Sequence, residues 1–77
     1  MNAQRRKRIN KLVEQLESLK SELEDIMEEE QEALDNLPES LQYSEKGERM
    51  QSCIDSMEYA IDNMDDAVDN MNEVIEQ

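Results

Sequence analysis

The chain of 77 residues has no histidine, tryptophan or phenylalanine, and it holds one cysteine, one proline and one glycine. Each scarcity narrows the chemistry. A single Cys53 forms no intrachain disulfide, and the lack of histidine removes the usual nitrogen ligand of zinc and iron sites and the commonest general base. Core filling falls to Leu, Ile, Val, Met and Ala, because the only aromatic residues are Tyr43 and Tyr59. Aliphatic residues never run longer than two in succession, so the sequence shows neither a membrane span nor the apolar centre of a signal peptide. A cytoplasmic protein with no membrane association is the expectation. Basic residues are scarce too, at eight against 21 acidic ones for a net charge of −13. Direct binding to bare nucleic acid or an anionic membrane is therefore disfavoured, and the expected partners are another copy of the chain or a basic protein.

What is present is helical periodicity. Ile9, Leu12, Val13, Leu16, Leu19, Leu23, Ile26, Met27, Ala33, Leu34 and Leu37 recur at steps dominated by three and four, which predicts a first helix over about residues 4–36. The only Pro and the only Gly then fall in "DNLPESLQYSEKGE". Pro38 disfavours helical geometry at Leu37, so a turn is expected over about residues 37–44. Ser44 suits the N-cap of a second helix over about residues 45–76, with Glu45 favoured in its first turn. Gly47 is costly inside a helix; it either sits in a frayed first turn or admits another backbone.

The second helix carries Met50, Ile54, Met57, Ile61, Met64, Val68, Met71 and Ile75 at alternating steps of four and three, a period of 3.5 that marks a heptad seam. With Ile54 at position a, Met occupies every d, and Cys53, Ala60, Ala67 and Val74 widen the stripe at g. The first helix takes the same scheme, with Ile9, Leu16 and Leu23 at a and Leu12, Leu19, Ile26 and Ala33 at d. Glu30 falls on an a position and conflicts with it.

The expected fold is all-α: one domain, an antiparallel two-helix hairpin of coiled-coil type. Two helices do not shield a stripe three residues wide per heptad, so the hairpin is expected to form a homodimeric four-helix bundle. The self-association seam comprises Leu16, Leu19, Leu23, Ile26, Ile54, Met57, Ile61, Met64, Val68 and Met71. Its methionines read as ordinary core or as an adaptable surface for another helix.

Charge is divided unevenly. Arg5, Arg6, Lys7, Arg8 and Lys11 open the chain, whereas residues 21–35 and 55–76 each hold eight acids and no base. In a hairpin the basic start lies beside Asp69, Glu73, Glu76 and the terminal carboxylate, which predicts pairing between helices; a basic arm for phosphate is the competing reading. Asp is a poor helix former, which makes Asp55, Asp62, Asp65, Asp66 and Asp69 costlier choices than Glu, and packing does not require Asp55, Asp62 or Asp69. The five read either as a solvated face or as an acidic partner face, a rod of carboxylates that imitates nucleic acid and occupies a basic groove.

Catalysis and metal binding find no support in the sequence. "DNMDDAVDN" has the composition of a calcium loop but lacks the central Gly and stays in helical phase. Cys53 lacks an activating His and lies near acids, which marks it as a small packing residue. No enzyme activity and no cofactor are expected.

"EEEQEALDNLPESLQYSEKGERM" followed by "AIDNMDDAVDNM" resembles small acidic helical proteins of phages and mobile elements of Firmicutes, a set without a known activity. The likeness runs from the basic start through "NLPESLQ", "SEKGE" and the Asp-rich second helix. It implies a small accessory protein of a mobile element, in a protein-binding or mimic role.

Overall fold

The computed structural model describes residues 1–77, arranged as α1 (Ala3–Asp35), α2 (Glu39–Gln42) and α3 (Glu45–Glu76). It contains no strand, and α1 and α3 pack against each other in an elongated body of 58 × 15 × 12 Å. The two long helices match the expected spans to within a residue at each end.

Local chemistry sets these ends. Asn2 caps α1, its Oδ1 accepting from the Arg5 N–H at 2.8 Å. At the other terminus the Asn36 N–H reaches the Glu32 carbonyl at 3.0 Å, after which Pro38 prevents a further turn. Ser44 caps α3 as its residue type predicts, accepting from the Gly47 N–H at 3.5 Å.

The connection is more ordered than a simple tight turn. Pro38 opens the one-turn helix α2, its carbonyl accepting from the N–H groups of Leu41 at 2.8 Å and Gln42 at 3.1 Å. Gln42 then ties both long helices together. Its Nε2 donates to the Leu37 carbonyl at 3.0 Å and the Asp35 carbonyl at 3.4 Å, satisfying groups left open at the end of α1. Its own carbonyl lies against Gly47, where a Cβ would stand 2.1 Å from the oxygen. Gly47 is buried in α3 and its φ is negative, so close approach of the backbone, and not left-handed geometry, is what requires glycine here.

The interface between α1 and α3 departs from the expected seam on one helix. On α3, Ile54, Ile61 and Val68 are buried and Met50, Met57, Met64, Met71 and Ile75 are half-buried, as the heptad predicts. On α1, the residues turned toward α3 are Arg6, Ile9, Val13, Leu16, Lys20, Leu23, Met27, Glu30, Leu34 and Leu37, which are all buried or half-buried. These are positions a and e, and beside them Glu24 and Gln31 at b are half-buried too. The d row that the sequence placed in the seam points outward instead: Leu12, Leu19 and Ile26 are 53, 54 and 53% exposed. Rotation of α1 about its axis brings Val13 and Leu34 into the core and lets Lys20 reach Asp65, at the cost of uncovering that row.

Candidate functional site: an uncovered apolar face

The core of the hairpin is thin. Val13, Leu34, Ile54, Ile61 and Val68 are its buried apolar residues, and no side chain is fully enclosed. Ordering 77 residues around five such side chains leaves little surplus stability.

Burial is also lopsided across the hairpin. Helical geometry places row e of α1 and row a of α3 toward one side of the interface, and these rows contain the whole buried core. Row a of α1 and row d of α3 lie toward the other side, where Ile9, Leu16, Leu23, Met57, Met64 and Met71 remain half-buried. Beyond them on that same side stand Leu12, Leu19, Ile26 and Ala33 of α1 and Cys53, Ala60, Ala67 and Val74 of α3.

Two contacts set the register. Arg6 Nη2 donates to the Gln77 carbonyl at 2.9 Å, and Lys20 Nζ meets Asp65 Oδ1 at 2.5 Å. Antiparallel helices in that register bring Leu12 level with Val74, Leu19 with Ala67, Ile26 with Ala60 and Ala33 with Cys53. The face is thus a ladder whose first three rungs set a large side chain of α1 beside a smaller one of α3, and whose last rung is small on both rails.

Charge avoids this face on α3. The row flanking the ladder there is Ser56, Asn63 and Asn70, so from residue 50 onward two adjacent rows carry no charged side chain, Lys46 and Arg49 in the first turns of α3 being the charges that precede them, whereas all eight acids between residues 55 and 76 lie on the other sides of the helix. Of the ten residues assigned to the self-association seam, Ile54, Ile61 and Val68 are already consumed inside one chain. Leu16, Leu23, Met57, Met64 and Met71 are half-covered, and Leu19 and Ile26 are exposed.

The acidic residues do not act as one group. Asp65 is spent on Lys20, and the Asp55 carboxylate accepts from Gln51 Nε2 at 3.0 Å. Asp62, Asp66 and Asp69 are exposed and form no ion pair. Asp55, Glu58, Tyr59 and Asp62 line a shallow open depression. No three carboxylate or thiol side chains converge closely enough to hold a metal ion.

Of the inter-helix pairing expected of the basic cluster, the structure shows one contact, from Arg6 to the main-chain oxygen of Gln77. Arg5, Arg6, Lys7, Arg8 and Lys11 form no ion pair with Asp69, Glu73 or Glu76. The reason is geometric: of the five, only Arg6 lies on the α1 row that meets α3, and it finds a backbone carbonyl. Pairing across the helices falls to Lys20, the one base between the N-terminal cluster and the turn, which sequence reasoning passed over. Its place among Val13, Met27 and Leu34 at seven-residue intervals was the available signal. The hydrogen bond to Asp65 is the main cause that holds the Lys20 ammonium above its ordinary pKa of 10.5; partial burial opposes it, and the charges of Asp65, Glu24 and Glu17 add to it.

No family model, curated protein or solved structure matches this chain. No helix is long and apolar enough to cross a membrane.

Proposed function

We propose that the chain is a non-catalytic interaction protein that associates with itself through the ladder of Leu12, Leu19, Ile26, Ala60, Ala67 and Val74. The observation that carries this reading is the exposure of three large aliphatic side chains in one straight row of α1, across from two α3 rows without charge from residue 50 onward, on a protein otherwise crowded with carboxylates. Contiguous apolar patches of this kind mark interaction surfaces. Covering the exposed half of each Leu or Ile returns about 1 kcal/mol per side chain, a large increment for so thin a core. Sedimentation at micromolar concentration tests it: the wild type should run at twice 9.1 kDa, and Leu19→Glu as a single chain of unchanged helicity. A wild type that sediments as a single chain refutes the reading.

A second reading, mimicry of nucleic acid toward a basic protein, draws support from the charge distribution. Residues 21–64 carry 14 acidic and two basic side chains, whereas residues 1–20 and 65–77 together carry seven and six. The carboxylates of Asp62, Asp66 and Asp69 are free to meet such a partner. Replacing these three by Asn separates the readings: a captured basic protein that is lost with this variant and retained with Leu19→Glu supports mimicry, and the reverse supports the ladder. Either role suits an accessory protein of a mobile element, the context that the resemblance implies.

A further inference from the structure

We infer that the occupant of the ladder is a second copy lying turn beside turn, with α1 of each chain resting on α3 of the other. This arrangement rests on the self-association proposed above and adds the orientation, which two-fold symmetry reduces to two choices. A two-fold axis along the hairpin stacks α1 on the partner's α3, with both turns at one end. An axis across the hairpin stacks α1 on α1 and α3 on α3, with the turns at opposite ends.

The steric pattern favours the first choice. With the axis along the hairpin, each large residue of α1 meets a smaller one of the partner at its own level, Leu12 on Val74, Leu19 on Ala67 and Ile26 on Ala60, and only the rung nearest the turn, Ala33 on Cys53, is small on both sides. Large against small over those three rungs is how facing helices interdigitate without voids. The crossed choice sets Leu19 against Ile26 and Ala60 against Ala67, so one rail is overfilled and the other hollow.

The rim agrees with the ladder. Outside Leu12, Leu19 and Ile26 run Arg8, Gln15, Glu22 and Glu29. In the first choice these face Gln77, Asn70, Asn63 and Ser56 of the partner, amides and a hydroxyl that accept neighbours of either sign. In the crossed choice Glu22 approaches its own equivalent, a like-charge contact that destabilises. The acid-rich turn halves do lie side by side in the chosen dimer, but the α3 acids point away from the interface, where salt screens them beyond about 8 Å.

The area is also sufficient. A compact monomer of 9.1 kDa exposes about 4,900 Å² by the scaling of folded proteins, and this chain exposes 5938 Å². That excess of roughly 1,000 Å², spread over the whole elongated body, is of the order of the ~800 Å² that each partner buries in a standard interface. Association on this face also encloses Leu16, Leu23, Met57, Met64 and Met71 as the centre of a four-helix bundle.

A spin-label distance at the turn decides the orientation. Tyr43 is 81% exposed and lies in the turn, beyond the last rung of the ladder, so Tyr43→Cys carries a nitroxide outside the interface; the Cys53→Ser background changes only the outermost rung, by near-isosteric replacement, and sedimentation and circular dichroism of that background confirm the oligomer and the helices. A label-to-label distance of about 15–35 Å is expected, since bundled helix axes lie 8–10 Å apart. A distance near the 58 Å length of the body overturns the orientation while leaving self-association intact. Absence of dipolar coupling, with a single-chain mass by sedimentation, overturns both.

Discussion

Lys20 Nζ lies 2.5 Å from Asp65 Oδ1, the one ion pair that joins α1 to α3. Its position marks the rotation of α1, because a lysine on the row of Val13, Met27 and Leu34 reaches that carboxylate only if this row, and not the Leu12 row, turns toward α3. The pair is therefore compatible only with the arrangement that leaves the Leu12 row uncovered.

That contact makes an alkaline prediction. The folded-state pKa of Lys20 is raised above its unfolded value, so its contribution is complete below about pH 10.5 and is lost as the pH rises through the higher folded value. Melting temperature measured from pH 9 to 12 should fall more steeply for the wild type than for Lys20→Met. Parallel curves for the two proteins would show that the contact carries no linkage.

Gly47 admits the Gln42 carbonyl, and a methyl group there meets backbone that has no rotamer to yield. Alanine gains about 1 kcal/mol of helix propensity, yet overlap of this kind costs about 1–3 kcal/mol. A lower urea midpoint is expected for Gly47→Ala, against the trend of glycine replacements in exposed helices.

Ile61 and Leu19 occupy similar places in the heptad and differ in burial, 9% against 54% exposed. Ile61→Ala should lower the stability of the hairpin by about 2–4 kcal/mol. Leu19→Ala, unfolded at a concentration where the wild type is a single chain, should change it by only about 0.5 kcal/mol, and its larger effect should emerge as concentration rises.

Asp66 stands four residues after Asp62 and three before Asp69 without a base in reach on its own helix. Each such repulsion costs about 0.2–0.5 kcal/mol. Asp66→Asn should therefore raise the melting temperature in 10 mM salt, and the gain should fade by 0.5 M, where screening removes the repulsion.

Much of this fold was legible from local chemistry. Pro38, Ser44 and the 3.5-residue spacing from Met50 to Ile75 each have a single sensible reading, and the two long helices follow from them. Gly47 left two readings open, and the Gln42 carbonyl selects the close-approach one. What the residues of α1 did not reveal was its rotation. Rows a, d and e are all apolar enough to face a partner, and Leu12, Leu19 and Ile26 look like better core than Val13, Lys20 and Met27. The choice depends on Asp65, 45 residues away in the chain, and on the register that the Gln42 connection imposes. α2 was hidden for a related reason: "ESLQ" has no periodicity, and it coils because Pro38 offers its carbonyl to two N–H groups.

The two ends of the hairpin are fastened unequally. At the turn, Gln42 clamps α1 by its amide and presses its backbone on Gly47, while at the other end one Arg6–Gln77 hydrogen bond spans the helices. Thermal opening should accordingly start where α1 begins and run toward the turn, like a hinge parting from its free edge. Amide protons of residues 5–12 and 70–76 should exchange with solvent first, and those around Leu34 and Ile54 last.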